Sequence, residues 1–115
     1  MVERDPELDI LIENARLGDE VARQRLLSRY RAHLRRMVVV RMDPRMLQRL
    51  DPSDVVQEIL IDANRRLAEY VNERPIPFYA WLRQIAWAKL VDLHRRHVMA
   101  KRRSVRSEVV LPFTM

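Results

Sequence analysis

The sequence predicts an all-α fold, a small bundle of three to five helices, on three observations. The 115 residues hold a single glycine, Gly18, whereas a β-rich fold of this size needs many glycine-dependent turns. Apolar residues recur at helical rather than alternating spacing along most of the chain. An aspartate followed by proline stands at Asp5-Pro6 and again at Asp51-Pro52. That pair is a helix start: the carboxylate caps free N–H groups, and proline sits where its missing N–H costs nothing. The length fits one domain, and the 48% of hydrophobic residues suffices for one modest core.

The elements follow in order. The first helix runs from Pro6 to about Leu17, with Leu8, Leu11, Ile12 and Ala15 as its apolar stripe, and Gly18 ends it. Asp19 caps a second helix, from about Glu20 to Met42. Its apolar face is Val21/Ala22, Leu26, Tyr30/His33, Leu34, Met37, Val38 and Val40, and arginines cover the other face. Asp43-Pro44 ends it, because a residue before proline is driven out of the helical region. Arg45 to Leu50 form a loop or a short helix. The third helix starts at the Asp51 cap and runs to about Tyr70. It buries Val55, Val56, Ile59, Leu60, Ala63 and Leu67 and exposes Asp54, Gln57, Glu58, Ile61, Asp62, Asn64 and Arg65. Pro75 and Pro77 interrupt the chain. The fourth helix starts near Phe78 and runs to about Arg103, with Phe78, Leu82, Ile85, Ala86 and Leu93 on one face. The domain is thus expected over residues 1–103. Residues 104–115, which show no stripe, are expected to be a flexible tail, the start of a linker. The second, third and fourth helices are expected to pack around Leu26, Leu34, Val56, Ile59, Leu60, Leu67, Leu82, Ile85 and Leu93.

Composition narrows the function. Without cysteine there is no disulfide, thiolate metal site or cysteine nucleophile, which fits a cytoplasmic protein. No apolar run approaches the roughly 18–20 residues of a membrane span; Met37 to Val40 is bracketed by Arg36 and Arg41. Met1 to Pro6 carries acids and does not resemble a signal peptide. His94 and His97 are three apart, an acceptable metal spacing, but arginines surround them and no carboxylate stands at a matching position. Asp54, Glu58 and Asp62 share a helix face, and a solvated or partner-facing surface accounts for them better than a divalent ion does. There is neither a glycine-rich phosphate loop nor a nucleophile elbow. No enzyme activity, cofactor or metal is therefore expected.

Charge points to a polyanion. The net charge is +6, and residues 1–74 carry 14 basic and 14 acidic side chains, so the whole excess lies in the last third. The alternative is a solvated basic tail. Arg83, Trp87, Leu90 and His94 fall on the side of the fourth helix away from its stripe. Trp87 there either stacks on bases or packs on a neighbouring helix. Phe78, Tyr79 and Trp81 follow the stiff double-proline segment; aromatics interleaved with basic residues suit an unstacked single strand, and plain core packing is the alternative. Arg95, Arg96, Lys101, Arg102, Arg103 and Arg106 are candidate phosphate contacts. The outward face of the third helix suits a protein partner with a basic helical surface, or is an ordinary solvated face.

Three segments carry a family resemblance. Asp54-Val55-Val56-Gln57-Glu58 resembles the D-hydrophobic-hydrophobic-Q-E core of region two of bacterial sigma factors. Pro77 to Ala86 looks like its F-x-x-W-L-x-x-I-A stretch, and Val91-Asp92-Leu93-His94-Arg95-Arg96 like its hydrophobic-D-x-x-R-R continuation. Order and spacing agree over about Asp5 to Arg106, and the compactness resembles the extracytoplasmic-function type. The resemblance implies a transcription initiation domain that binds core RNA polymerase and recognises and melts the minus-ten promoter element. Asp54, Gln57, Glu58, Ile61 and Asn64 would face the clamp helices of the largest polymerase subunit. The loop from Tyr70 to Pro77, with Asn72 and Arg74, would receive a flipped base. Phe78, Tyr79, Trp81, Arg83, Trp87 and Ala88 would flank the opening duplex, with His94, Arg95, Lys101, Arg102, Arg103 and Arg106 along the phosphates. Where the family often has Arg-Asn this chain has Trp87-Ala88, exchanging hydrogen bonding for stacking. A full sigma factor of this group continues to a helix-turn-helix domain that this sequence does not contain, so alone it is expected to recognise promoters poorly. An anti-sigma factor is a possible further partner. The competing readings are a polymerase- or anti-sigma-binding module without promoter function, and a generic basic helical nucleic-acid binder.

Overall fold

The protein is described by a computed structural model over residues 5–110, with side chains through residue 103. Among these residues there are five helices of nine residues or more and one single turn: α1 (Pro6–Arg16), α2 (Glu20–Ser28), α3 (Arg31–Arg41), α4 (Pro44–Leu47), α5 (Pro52–Glu73) and α6 (Phe78–Val110). The all-α bundle read from the sequence is what forms.

Four aspartates start helices as their sequence context dictates. The side chain of Asp5 accepts from the backbone N–H of Glu7 and Leu8, Asp19 from Val21 and Ala22, Asp43 from Arg45, and Asp51 from Ser53, at 2.8–3.2 Å. Each cap satisfies N–H groups that have no partner within the helix. Gly18, at φ +93, makes the turn between α1 and α2, a backbone region that disfavours any residue with a Cβ.

The expected second helix, Glu20 to Met42, is instead two helices broken at Arg29-Tyr30. Tyr30 leaves helical geometry at φ −107, ψ 14. Tertiary contacts account for this: Arg29 forms ion pairs with Asp5 and Glu7, and the Tyr30 ring packs among aromatic rings of α6. The break re-aims the apolar faces. Ala22, Leu26 and Leu27 are buried on α2 and Leu34 and Val38 on α3, while Val21 and Val40, both expected on the inner stripe, are 60% and 82% exposed.

α5 and α6 organise the rest. α5 buries Val55, Val56, Ile59, Leu60, Ala63 and Leu67, as its period predicts, and continues through Tyr70 and Val71, both buried, to Glu73. On α6, Phe78, Leu82, Ile85, Ala86 and Leu90 are buried. Leu90 thus belongs to the core, contrary to its expected place on the less buried side, and Leu93 is only partly buried at the core's edge. The bundle ends near Leu90, and α6 projects beyond it in a molecule 68 Å long and about 25 Å across. The helix continues to Val110, where a frayed or extended chain was expected from Ser104. No glycine or proline falls between Phe78 and Val110, so no helix-breaking residue stops the helix at Ser104. Residues 1–4 and 111–115, and the Arg106 side chain, lie outside the described residues.

Candidate functional site

Apart from the Tyr70 hydroxyl, the buried set among the described residues is apolar, so every polar candidate lies at the surface. They fall on three surfaces.

The first is the outer face of α5. Asp54, Gln57, Glu58, Ile61 and Asn64 are all exposed and span about a third of the helix circumference at about 100° per residue. Gln57, Ile61 and Asn64 line a cleft of about 280 Å³ whose far wall is Gln24, Leu27 and Ser28 of α2 and Arg31. The Arg31 guanidinium donates to Gln57 Oε1 at 3.0 Å, and Arg35 Nε to Ser53 Oγ at 3.1 Å. Asp62 turns towards α6 instead, taking the Lys89 ammonium at 3.0 Å. Asp54 and Glu58 remain as carboxylates without an ion pair among the described residues, beside an isoleucine 45% exposed. An exposed aliphatic centre ringed by charge is the composition of a protein-binding face.

The second surface is where α3 meets α6. Tyr79 stacks on Tyr30 at 5.0 Å between ring centroids, and His33 meets both rings edge-on at 5.8 Å. The Arg83 guanidinium lies 6.0 Å from the centre of the Tyr79 ring, and Arg41 lies 5.1 Å from that of Trp87, which is 51% exposed. Met37, Arg41, Ala80, Arg83, Gln84 and Trp87 line a shallow cleft of about 420 Å³. Tyr30, His33 and Arg41 were not among the candidates, because an unbroken second helix puts Tyr30 and His33 on an inward stripe. The available signal was the pair of aromatic rings flanked by Arg29 and Arg31. Trp81 points the other way, 4.8 Å from Tyr70 and 5.6 Å from Phe78, and is half-buried. His94, Arg95, Lys101, Arg102 and Arg103 lie exposed along α6 beyond Leu90. Arg96 pairs with Asp92 at 2.7 Å.

The third surface is the α5–α6 connection, residues 74–77. A groove of about 540 Å³ separates it from α1, lined by Asp5, Leu8, Asp9, Ile12, Tyr70 and residues 74–78. The Tyr70 hydroxyl donates to the Ile76 carbonyl at 2.6 Å. Burial pushes that hydroxyl above the usual tyrosine range, against the opposing pull of Arg74, so it stays a donor. Arg74 ends α5 in left-handed geometry, φ 44, ψ 54, and its guanidinium holds Asp9 of α1 at 2.9 Å. Asn72 is exposed on the last turn of α5. Because glycine takes the left-handed region without strain and an exposed ion pair contributes little, Arg74→Gly should shift stability by less than about 1 kcal/mol in a urea titration.

The second and third surfaces are joined. Tyr79, Tyr30, Phe78, Tyr70 and Trp81 form a chain of rings, each 4.8–6.0 Å from the next. The α5 face is separate from them. No three His, Asp or Glu side chains converge on a point among the described residues, and no helix there is long and apolar enough to cross a membrane.

A family model for sigma-70 region 2 matches residues 22–98, from α2 into the projecting part of α6. No curated protein and no solved structure matches the chain. The matched span is about two thirds of the 115 residues and holds the whole α5 face and the aromatic-basic surface. That family is one of transcription factors rather than enzymes, and its members in general bind RNA polymerase and recognise the minus-ten promoter element. On this match, and on an all-helical fold that agrees with it, the chain belongs to the sigma-70 region 2 family.

Proposed function

We propose that this chain binds core RNA polymerase through the outer face of α5 and opens minus-ten promoter DNA with the surface where α3 meets α6, in the manner of a sigma factor of the extracytoplasmic-function type acting in the cytoplasm. The observation that carries this reading is the separation of the two surfaces. The α5 face offers carboxylates and Ile61 to a protein, while exposed Trp87, half-buried Tyr79 and the Arg41 and Arg83 guanidinium groups sit on the α3–α6 side. One partner can occupy each without displacing the other.

Asp54, Gln57, Glu58, Ile61 and Asn64 meet the clamp helices of the largest polymerase subunit. Tyr79, Arg83 and Trp87 face the opening duplex, joined by Tyr30, His33 and Arg41. Unstacking a base step costs a few kcal/mol, which ring surfaces recover by stacking. The groove beside residues 74–77 takes a flipped base, with Asn72 and Arg74 at its mouth and Trp81 bracing its floor through Tyr70. His94, Arg95, Lys101, Arg102 and Arg103 run along the phosphates, where contacts position without reading sequence.

Permanganate reactivity of thymines in a promoter bubble tests this with core polymerase supplied. Tyr79→Ala should cut melting roughly tenfold or more, given about 1–3 kcal/mol per stacked base, with polymerase affinity unchanged. Melting that survives Tyr79→Ala and Trp87→Ala together would leave a module that binds polymerase without promoter function. An anti-sigma factor competing for the α5 face would act on the first step alone.

A further inference from the structure

Beyond the shallow aromatic cleft, α6 crosses the end of α3 and the α4 turn and leaves a second, more apolar cleft of about 480 Å³. Met42, Met46 and Leu90 form its buried floor. Its rim is apolar and open: Val40 is 82% exposed, Trp87 51% and Val91 41%. Arg41 and His94 complete the lining. Exposed aliphatic side chains gathered in a concave site mark a binding surface rather than scattered surface apolarity. Phosphate contacts call for polar groups, and of the residues lining this cleft only Arg41 and His94 are polar.

The groove opens onto a seam. Trp87, Val91 and His94, all exposed, and Val98, half-buried, follow at spacings of four, three and four along α6, the spacing by which one helix presents knobs to another. Arg95 and Arg102 flank the seam, and Arg45 precedes the floor residue Met46 on α4; all three are exposed. Among the described residues Arg41, Arg45 and Arg95 have no carboxylate partner within 4 Å. A second copy of α6 would bring like charges together along the seam, which disfavours self-pairing.

We propose that this groove and seam dock an acidic amphipathic helix of a protein partner. Its apolar side chains, spaced i, i+4 and i+7, would fill the cleft over Met46 and Leu90. Its carboxylates would meet Arg41, Arg45 and Arg95. Trp87 supplies the central ring, a residue type enriched at interface centres. Because Trp87 lines both this groove and the aromatic cleft, the helix and a duplex on the aromatic surface exclude one another.

The test needs neither polymerase nor promoter, so its failure is distinct from failure of the function proposed above. The probe is a synthetic 18-residue helix with leucines on one face and glutamates elsewhere, read by fluorescence anisotropy against the full chain. The controls are the same peptide with lysines for glutamates and a short DNA duplex. The glutamate peptide should bind, and Val40→Asp or Val91→Asp should weaken it roughly tenfold or more, as expected for a truncated interface centre. Arg45→Glu, on an exposed side chain, should weaken it with the thermal melt unchanged, and the lysine peptide should not bind. Equal binding of both peptides, or binding indifferent to Val40→Asp, Val91→Asp and Arg45→Glu in chains that melt normally, overturns the proposal. So does a wild-type chain that ignores the glutamate peptide while Val91→Asp releases only the duplex, which would assign the groove to DNA.

Discussion

Glu58→Lys is expected to weaken binding to core RNA polymerase by about a hundredfold and to leave the fold intact. The two halves of this expectation rest on different observations. Glu58 is exposed on the second turn of α5 and has no ion pair among the described residues. Its replacement therefore strands no buried partner, and the new lysine stands one turn beyond Asp54, where opposite charges stabilise a helix by a few tenths of a kcal/mol. Binding responds otherwise. Glu58 lies on the same arc as Asp54 and Ile61, and an interface that buries them against a basic helical surface loses a favourable charge and gains a repulsive one. Such changes cost about 2–5 kcal/mol when the pair is desolvated, and about 2.7 kcal/mol is a hundredfold. Fluorescence-detected titration against purified core enzyme checks it, with a thermal melt of each variant beside it. Gln57→Ala should fall between wild type and Glu58→Lys, because its oxygen already engages Arg31 at 3.0 Å. If Glu58→Lys bound as tightly as wild type, the α5 face would be an ordinary solvated surface. The aromatic-basic surface would then stand as an independent nucleic-acid site.

The difference between what the sequence disclosed and what it hid is physical. Helix starts were legible because capping is local: Asp5, Asp19, Asp43 and Asp51 accept from residues two or three positions on, which any reading of adjacent residues can find. The buried side of α5 was legible because a long helix packed along one side keeps its 3.6-residue period. The break at Arg29-Tyr30 was not, since neither glycine nor proline marks it. It follows from the pull of Asp5 and Glu7 on Arg29 and of Tyr79 and Phe78 on Tyr30, residues at least 22 positions away. The exchange of Leu90 for Leu93 has a similar origin. Both satisfy a helical period, and what separates them is where the bundle ends, a fact about α3 and α4 that α6 does not contain.

The site divides in the same way. Residues on one helix, such as the α5 face or Tyr79 with Arg83, were grouped by sequence spacing. The contribution of α3 to the aromatic surface required the tertiary fold, because Tyr30, His33 and Arg41 reach Tyr79 and Trp87 across nearly 50 residues. Setting Trp81 and Trp87 together beside the opening duplex hid a further distinction. Six residues apart, they lie about 120° from alignment and on a long way round the helix. One braces Tyr70 and Phe78 inside the bundle's rim, and the other stands half in solvent under Arg41.

That distinction sets the largest stability effect expected in the molecule, at Phe78. Its ring is 1% exposed and sits within 6.0 Å of Tyr30, Tyr70 and Trp81. Truncating a buried phenylalanine to alanine removes its transfer energy and leaves a cavity, at about 3–5 kcal/mol. Against a total of about 5–15 kcal/mol for a domain of this kind, Phe78→Ala should lower the melting temperature by well over ten degrees, since each kcal/mol shifts it by about 4–8 °C near this size. Trp87→Ala, on an exposed ring, should shift it by only a few degrees. Calorimetry of the two variants separates support from contact: Phe78 holds the start of α6, the Tyr70 side of the loop and the Tyr30 break in register, whereas Trp87 offers its face outward. A Phe78→Ala chain that melted within a few degrees of wild type would mean that α6 begins its packing at Leu82. Tyr79 would then lack the fixed neighbour that holds it against Tyr30, and the ring surface proposed to meet DNA would have to be assembled by the nucleic acid itself.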